Sequence, residues 1–154
     1  MPLVVKQVST QEELTVAKAI RYEVFIHEHG FEACHELDPR DDLDTTRHFL
    51  GKQEENGAYV AVARCLLLPE KRKAKVGRVA VLKEYRGRGY GVALMRAIED
   101  ALFDEVDVLE LSSINERRGF YEARGYTSVS GVVYIDKGVE HCQMSKTISK
   151  GGGE

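Results

Sequence analysis

Residues 76–102 place an apolar segment, a glycine-rich turn and a helix pattern in direct succession, and this order restricts the fold more than any other feature of the chain. The aliphatic residues from Val76 to Leu82 are typical of a strand. From Gly91 onward, apolar residues recur on one face at helical spacing, namely Leu94, Met95, Ile98, Ala101 and Leu102. A strand that enters a helix through a short loop predicts a domain that combines helices with a sheet, of the α/β or α+β class.

The loop between this strand and helix, Glu84-Tyr85-Arg86-Gly87-Arg88-Gly89-Tyr90-Gly91, has the features of a phosphate-binding cradle. Its glycines allow the backbone to approach a ligand, and the next helix adds unpaired N–H groups and the positive end of its dipole. The Gly-Lys-Ser/Thr of a P-loop is absent, and a dinucleotide fingerprint that starts at Gly87 or Gly89 lacks its third glycine. A turn that merely joins strand to helix is the alternative interpretation.

The rest of the sequence predicts one domain with a mixed sheet. Thr10 and Glu13 have the spacing of a capping box that opens a helix. Asn56-Gly57 lies between two strand-like runs and predicts a type I′ hairpin turn, in which both residues have positive φ. A strand (106–111), a helix (115–124) and two strands (127–134 and 139–148) follow. We expect the domain to span residues 1–149 and to be followed by a flexible tail at 150–154.

The composition excludes several classes of protein. A net charge of −3 is unlike a general nucleic-acid binder, which carries a basic face. No apolar run approaches the roughly 20 residues of a membrane span, and residues 1–10 lack the features of a secretory leader. Three widely separated cysteines indicate reduced thiols. These features predict a cytoplasmic protein with no nucleic-acid or membrane partner.

The segment HEHGFEACHE, residues 27–36, contains three of the five histidines and a cysteine. These side chains suit zinc, but structural zinc sites pair ligands two to four residues apart and take a second pair from elsewhere. Cys34 and His35 are adjacent, so their side chains diverge. We therefore expect no metal site.

Two motifs resemble the GNAT N-acetyltransferase superfamily. Its signature Arg/Gln-x-x-Gly-x-Gly/Ala is matched by Arg86, Gly89 and Gly91. Residues 115–126, NERRGFYEARGY, resemble a second family pattern, N-x-x-x-x-x-Y-E-x-x-G-F/Y. The resemblance covers nearly the whole chain and implies an acyl-CoA N-acyltransferase fold with a mixed, mostly antiparallel sheet. It also implies acetyl-coenzyme A as cosubstrate and a primary amine, most simply of a small molecule, as acceptor.

In that family the loop amides bind the pyrophosphate of acetyl-coenzyme A, and the preceding strand pairs with the pantetheine arm. The resemblance therefore implies a set of cofactor-binding residues: Val79, Ala80, Val81, Arg86, Gly87, Arg88, Gly89, Tyr90, Gly91, Asn115 and Tyr121. For Asn115, a plain helix cap is the alternative.

A narrower resemblance links residues 20–26 and 138–141 to a small branch that includes glyphosate-acetyltransferase-like enzymes. There a late histidine acts as base, a tyrosine as acid, and arginines hold an acidic substrate. By this resemblance His141 is the base, Tyr121 is the acid, and Arg21 and Arg78 contact the substrate. The third arginine of the branch corresponds to Ile114, so the anion-binding set is incomplete here.

Several alternatives stay open at this point. Glu28 and Glu110 are rival bases, and we place both on the substrate side. The branch predicts that residues 27–42 form an entrance loop, whose carboxylates either attract a cationic amine or are simply solvated. A non-catalytic acyl-coenzyme A binder is the alternative to an enzyme, and a homodimer is one option for the assembly.

Overall fold

The computed structural model describes residues 2–32, 38–136 and 138–148. Within these residues, seven strands form one sheet in the order β1-β2-β3-β4-β5-β7-β6. The strands are β1 (Leu3–Gln7), β2 (Thr46–Gln53), β3 (Tyr59–Leu68), β4 (Lys73–Val81), β5 (Val108–Ile114), β6 (Thr127–Asp136) and β7 (Val139–Thr147). Neighbouring strands are antiparallel, except that β4 and β5 are parallel. The mixed, mostly antiparallel sheet is thus confirmed.

Helices cover both faces of the sheet. They are α1 (Gln11–Arg21), which continues as π-helical turns over Tyr22–Glu28, α2 (Tyr90–Leu102) and the short α3 (Arg118–Ala123). The predicted capping box is confirmed, because Thr10 and Glu13 each accept the backbone N–H of the other with their side chains. No helix in the described ranges is long and apolar enough to span a membrane.

The sheet separates two apolar layers. On one face α2 buries most of its predicted stripe against the strands, namely Leu94, Met95, Ile98 and Leu102. Ala101, which was expected on the same stripe, is exposed. On the other face α1 packs Ala17 and Ile20 against Leu50, Val62 and Ala80.

A bulge in β4 opens the middle of the sheet. Between the pairs Val62–Ala80 and Arg64–Gly77, β4 has one residue more than β3, and Arg78 there has φ of 51°. The parallel pairing of β4 with β5 ends at the same place, with Val76 opposite Leu111. Beyond it the two strands continue to Val81 and Ile114 with no pairing between them. A bulge bends its strand, so β4 diverges from β5 and leaves a gap between them.

The hairpin between β2 and β3 is confirmed, but its predicted turn type is wrong. Five residues, 54–58, separate the strands, and only Gly57 among them has positive φ, of 69°. Asn56 instead accepts the N–H of Ala58 with its side-chain oxygen, at 2.9 Å. This local hydrogen bond stabilises a longer turn without left-handed backbone at Asn56.

Candidate functional site

The loop after β4 forms a cradle of uncapped backbone N–H groups. Gly87 and Gly89 have φ of 79° and 81°, and a Cβ atom on either would meet nothing within 4 Å. Gly89 is the N-cap of α2 and supplies no side chain to bond the first-turn N–H groups. These groups and the helix dipole favour an anion at this position.

Two neighbouring residues have packing roles in addition to the predicted cofactor contacts. A Cβ atom on Gly91 would lie 3.2 Å from Cζ of Phe120, so this glycine is needed for packing between α2 and α3. The Tyr90 side chain is buried, and its hydroxyl accepts a hydrogen bond from Nε2 of Gln53 at 2.9 Å. Only the backbone N–H of Tyr90 can contribute to the cradle.

The arginines of the loop are held by protein groups. Arg86 donates from Nε to the carbonyl oxygen of Val81 at 2.8 Å, and from its terminal nitrogens to Glu28 at 2.5 and 2.6 Å. The hydrogen bond from Arg86 lowers the pKa of Glu28, which makes this carboxylate a weaker base. Arg88 lies over the ring of Tyr85, with 5.4 Å from its guanidinium carbon to the ring centroid.

Glu28 reaches Arg86 because helical structure extends through it, so the predicted entrance loop is wrong at His27 and Glu28. His27 contacts Glu23, with 3.2 Å between Nδ1 and Oε1, and His29 packs against the rings of Phe25 and Phe31. No metal-binding group of three His, Cys, Asp or Glu side chains occurs among the described residues. Residues 33–37 of the histidine-rich segment lie outside them.

The gap exposes backbone groups of β4. Leu82 donates its N–H to the carbonyl oxygen of Val60 at 2.9 Å. Backbone groups alternate in direction along an antiparallel strand, so those of Ala80 point to β3, while those of Val79 and Val81 point to the gap. The Ala80 side chain packs in the α1 layer, so this residue faces away from the gap with both its backbone and its side chain.

Asn115 and Tyr121 lie beyond the end of β5. The Oδ1 atom of Asn115 is buried, and no described group donates a hydrogen bond to it. Tyr121 is half-buried on α3, where its ring meets Phe120 and Tyr126 edge-on at centroid distances of 5.0 and 6.0 Å. Burial raises the pKa of Tyr121, so its hydroxyl is protonated at neutral pH.

His141 lies on β7 between Ile114 of β5 and Tyr134 of β6 in the strand register. Its Nδ1 is 2.8 Å from the carbonyl oxygen of Val139, which can only accept, so Nδ1 carries the proton and Nε2 is left as an acceptor. The ring stacks on Tyr134, whose hydroxyl is hydrogen-bonded to Oγ of Ser112. Tyr134 and Ser112 were not predicted as site residues, because neither belongs to a recognisable motif.

A cavity of about 310 Å³ lies at the closed end of the gap. Val76 and Leu111, the last paired residues of β4 and β5, are part of its wall. Polar side chains from five strands complete it, including Arg64, Lys75, Ser112, Tyr134 and Gln143.

None of the four predicted substrate residues lines this cavity. Arg21 is fully buried and donates two hydrogen bonds to Asp41, at 3.0 and 2.9 Å, because a buried guanidinium needs a counter-charge. Arg78 is 3.8 Å from Asp38 and a quarter exposed. Glu110 is paired with Nζ of Lys73 at 3.3 Å, and Glu28 is paired with Arg86.

Asp38 and Asp41 form an ion cluster that the sequence analysis missed. Arg64 donates from one terminal nitrogen to both, at 2.9 and 3.1 Å. Burial by itself would raise the pKa of Asp41, yet the hydrogen bonds and charges of Arg21 and Arg64 hold it below its ordinary value. The only sequence signal was the acidic run from Glu36 to Asp44, which gives no indication of its partners.

Known proteins are similar to this chain in sequence and in overall structure. The sequence model of the acetyltransferase (GNAT) family matches residues 15–126. The uncharacterized N-acetyltransferase YjcF of Bacillus subtilis is 29% identical over 137 residues, which cover 88% of this chain and 94% of YjcF. An acyl-CoA N-acyltransferase from Pseudomonas aeruginosa has a similar structure, with a TM-score of 0.80 and 26% identity over 95% of this chain and 100% of that chain. A spermidine N-acetyltransferase from Vibrio cholerae, solved with coenzyme A and spermine, has a TM-score of 0.72 and 15% identity over 95% of each chain.

The family match covers the cradle, the gap and Tyr121, although it ends before β7 and His141. It extends over most of the chain, and the similarity to the Pseudomonas aeruginosa structure extends over 95% of it. The protein is therefore an N-acetyltransferase, an enzyme of acyl-coenzyme A-dependent acetyl transfer, and belongs to the GNAT acetyltransferase family.

Proposed function

We propose that the enzyme transfers the acetyl group of acetyl-coenzyme A to a primary amine of a small molecule, by direct attack while both are bound. The gap between β4 and β5 carries this proposal. The cradle lies at its open end, after Val81, and the cavity lies at its closed end, at Val76 and Leu111. Two reactants that enter from these two ends meet within the gap, and their proximity supplies much of the rate enhancement.

The residues around the gap fit acetyl-coenzyme A, which supplies the acetyl group as an activated thioester. The open space at Gly87 and Gly89 and the uncapped N–H groups at the start of α2 suit a pyrophosphate. The buried Oδ1 of Asn115 lacks a donor in the described part of the chain, and an amide N–H of the pantetheine arm would satisfy it. The N–H of Val79, which points to the gap, is suited to stabilise an oxyanion.

Two side chains are suited to move protons. Nε2 of His141 is available as an acceptor because Nδ1–H is bonded to Val139, so we assign His141 as the base that deprotonates the amine. The Tyr121 hydroxyl is held protonated by burial, so we assign it as the acid that protonates the leaving sulfur. The rival bases are less suited, because Glu28 has a lowered pKa and Glu110 is paired with Lys73.

Thiol release in the presence of a broad library of primary amines tests the proposal. Amine-dependent release of coenzyme A, with the acetylated amine identified by mass spectrometry, is the expected result. Binding of acetyl-coenzyme A is measured in parallel by calorimetry. Tight binding of the cosubstrate without turnover of any amine would show that the proposed reaction is wrong.

A further inference from the structure

We propose that the amine acceptor also carries an anionic oxygen group, a carboxylate or a phosphate, which is bound by Arg64 and Lys75. This inference rests on the proposed function, since it takes the cavity as the acceptor site. It differs from the sequence-based expectation, which assigned substrate contacts to Arg21 and Arg78. Neither of those arginines lines the cavity, whereas Arg64 and Lys75 both do.

Arg64 has a hydrogen-bond donor that the described protein leaves unused. Its side chain is only 4% exposed. One terminal nitrogen is bonded to Asp38 and Asp41, but Nε–H has no acceptor in the described ranges. Buried donors of a charged group are almost always satisfied, so an orphaned one on a cavity wall indicates a ligand oxygen.

Lys75 provides a second cation on the same face of the sheet. It is exposed, and it has no ion pair with any of the described carboxylates. In the register of β3 and β4, Arg64 lies opposite Gly77, and Lys75 is two residues from Gly77 along β4. Side chains in this diagonal relation start about 7–8 Å apart, a distance that an anionic oxygen group can bridge.

Gly77 makes room between the two cations. A Cβ atom at this position would meet nothing within 4 Å, so the space above the backbone is open. Gly77 also lies two residues before Val79 on β4, and the N–H of Val79 is suited to stabilise the oxyanion of the reaction. Two residues along a strand span roughly 7 Å, so the anionic group and the amine are separated by a few covalent bonds.

The other charges of the cavity agree with this orientation. Arg40 is held by Asp38 through three hydrogen bonds, from Nε and from a terminal nitrogen. Asp136 lies on the opposite wall, on β6, three strands away from β4. The positive end of the cavity is therefore at β3 and β4, and the negative end is at β6.

The test compares acceptors that differ only in the anionic group. β-Alanine is compared with β-alaninamide, and O-phosphoethanolamine with ethanolamine, by kcat/KM at saturating acetyl-coenzyme A. For at least one pair, kcat/KM of the anionic compound should exceed that of its neutral counterpart by tenfold or more. The pair with the larger ratio shows whether the site prefers a carboxylate or a phosphate. Equal values within both pairs would overturn the proposal.

Variants of two lysines test whether the preference for anionic acceptors arises at the proposed site. Lys75→Met should remove most of the preference by raising KM for the anionic acceptor, with little change for the neutral one. Lys73→Met is the matched control, because it removes the same charge from the same strand outside the cavity wall. If both variants lost the preference for anionic acceptors equally, the preference would arise from the overall charge of the protein. The assignment of the anion site to Arg64 and Lys75 would then be wrong.

A binding measurement separates this inference from the proposed reaction. Calorimetry in the presence of coenzyme A, which carries no acetyl group, measures the binding of the acceptors without turnover. Binding of an anionic amine that depends on Lys75 would support the anion site even if no acetylation occurred. Turnover of amines without any such dependence would leave the proposed function intact and overturn the anion site.

Discussion

Glycine is needed at positions 89 and 91 for two different physical reasons, although both belong to one motif. Gly89 has φ of 81° with open space around it, whereas Gly91 contacts Phe120. The motif predicted that both glycines bind the cofactor, because a sequence pattern does not distinguish backbone conformation from packing. Gly89 therefore supplies open space to the cradle, whereas Gly91 can contribute only its backbone N–H, in the first turn of α2.

We expect Gly89→Val to weaken acetyl-coenzyme A binding by tenfold or more. A branched side chain in the left-handed region is strained by about 1–2 kcal/mol, and it would also occupy the space that the pyrophosphate needs. Calorimetry measures the change in Kd. Gly57→Val is the control, since Gly57 has φ of 69° and open space but lies in the β2–β3 hairpin. Similar losses of affinity in the two variants would show that strain, not the cradle, is responsible.

Tyr121→Phe should lower kcat with little change in melting temperature or cosubstrate affinity. The variant keeps the ring that packs on Phe120 and Tyr126 and removes only the hydroxyl. The hydrogen bond from the Tyr121 hydroxyl strengthens as negative charge develops on the leaving sulfur. The decrease in kcat should therefore arise in the chemical step. Single-turnover kinetics measure that step, and a thioester with a more acidic thiol should reduce the difference. If the variant carried out the chemical step at the wild-type rate, Tyr121 would be a packing residue and its assignment as the acid would be wrong.

His141→Gln should remove the dependence of kcat on deprotonation of the base and lower the rate by roughly a hundredfold or more, the usual scale of general-base loss. A general base accepts the proton of the amine only in its own deprotonated form, so the wild-type rate should rise with pH. The pH–rate profile at saturating acetyl-coenzyme A measures both effects. His27→Gln is the control, since His27 is exposed and lies outside the cavity wall. An unchanged profile in His141→Gln would transfer the role to another group.

At the scale of elements, the helices and strands were predictable where one face is apolar and the ends carry clear signals. The capping box at Thr10 and the helix end at Gly125, with φ of 96°, are examples. The bulge at Arg78 was not, because arginine rarely has positive φ and no motif marks the extra residue of β4 opposite β3. The extension of α1 through Glu28 also depends on a distant partner, Arg86.

The turn Pro39–Asp42 is connected to α1 and β3 mainly by ion pairs, and Asp41 is the most buried of its carboxylates. We expect Asp41→Asn to decrease the free energy of unfolding by about 3–5 kcal/mol, because it leaves the buried charge of Arg21 uncompensated. Urea denaturation measures the change. Asp42→Asn is the adjacent control, since Asp42 is 73% exposed and 3.9 Å from Lys18, and it should change stability by less than about 0.5 kcal/mol. Equal changes in the free energy of unfolding in the two variants would refute the stabilising role of the buried Arg21–Asp41 pair.

At the scale of the whole molecule, the mixed, mostly antiparallel sheet was predictable from the two family motifs, because the resemblance they carry implies the fold of the family. The cavity was not, because residues from five strands, β3 to β7, meet there and the sequence separates them by up to 79 positions, from Arg64 to Gln143. The domain limits at 1–149, the homodimer and the likeness to the glyphosate-acetyltransferase-like branch stay predictions.

Stability should fall as the solution becomes acidic, because three buried groups resist protonation in the folded protein. Burial lowers the pKa of His48, hydrogen bonds from Arg40 lower that of Asp38, and the pairing with Arg21 and Arg64 lowers that of Asp41. The unfolded chain has ordinary pKa values and takes up these protons first as the pH falls. The free energy of unfolding should thus decrease below pH ~6.5 through His48, and further below pH ~4 through the aspartates.

Urea denaturation between pH 7.5 and 4 measures this dependence. His48→Gln keeps a donor for the carbonyl oxygen of Asp41, which His48 bonds at 3.0 Å, but it cannot be protonated. The variant should therefore flatten the profile between pH 7.5 and 5.5 and retain the steeper loss near pH 4. The exposed His27, 59% accessible, provides the control, and His27→Gln should leave the whole profile unchanged. If His48→Gln kept the decrease above pH 5.5, burial of this imidazole would not be its cause, and the ion cluster under the cavity would owe its acid sensitivity to the carboxylates alone.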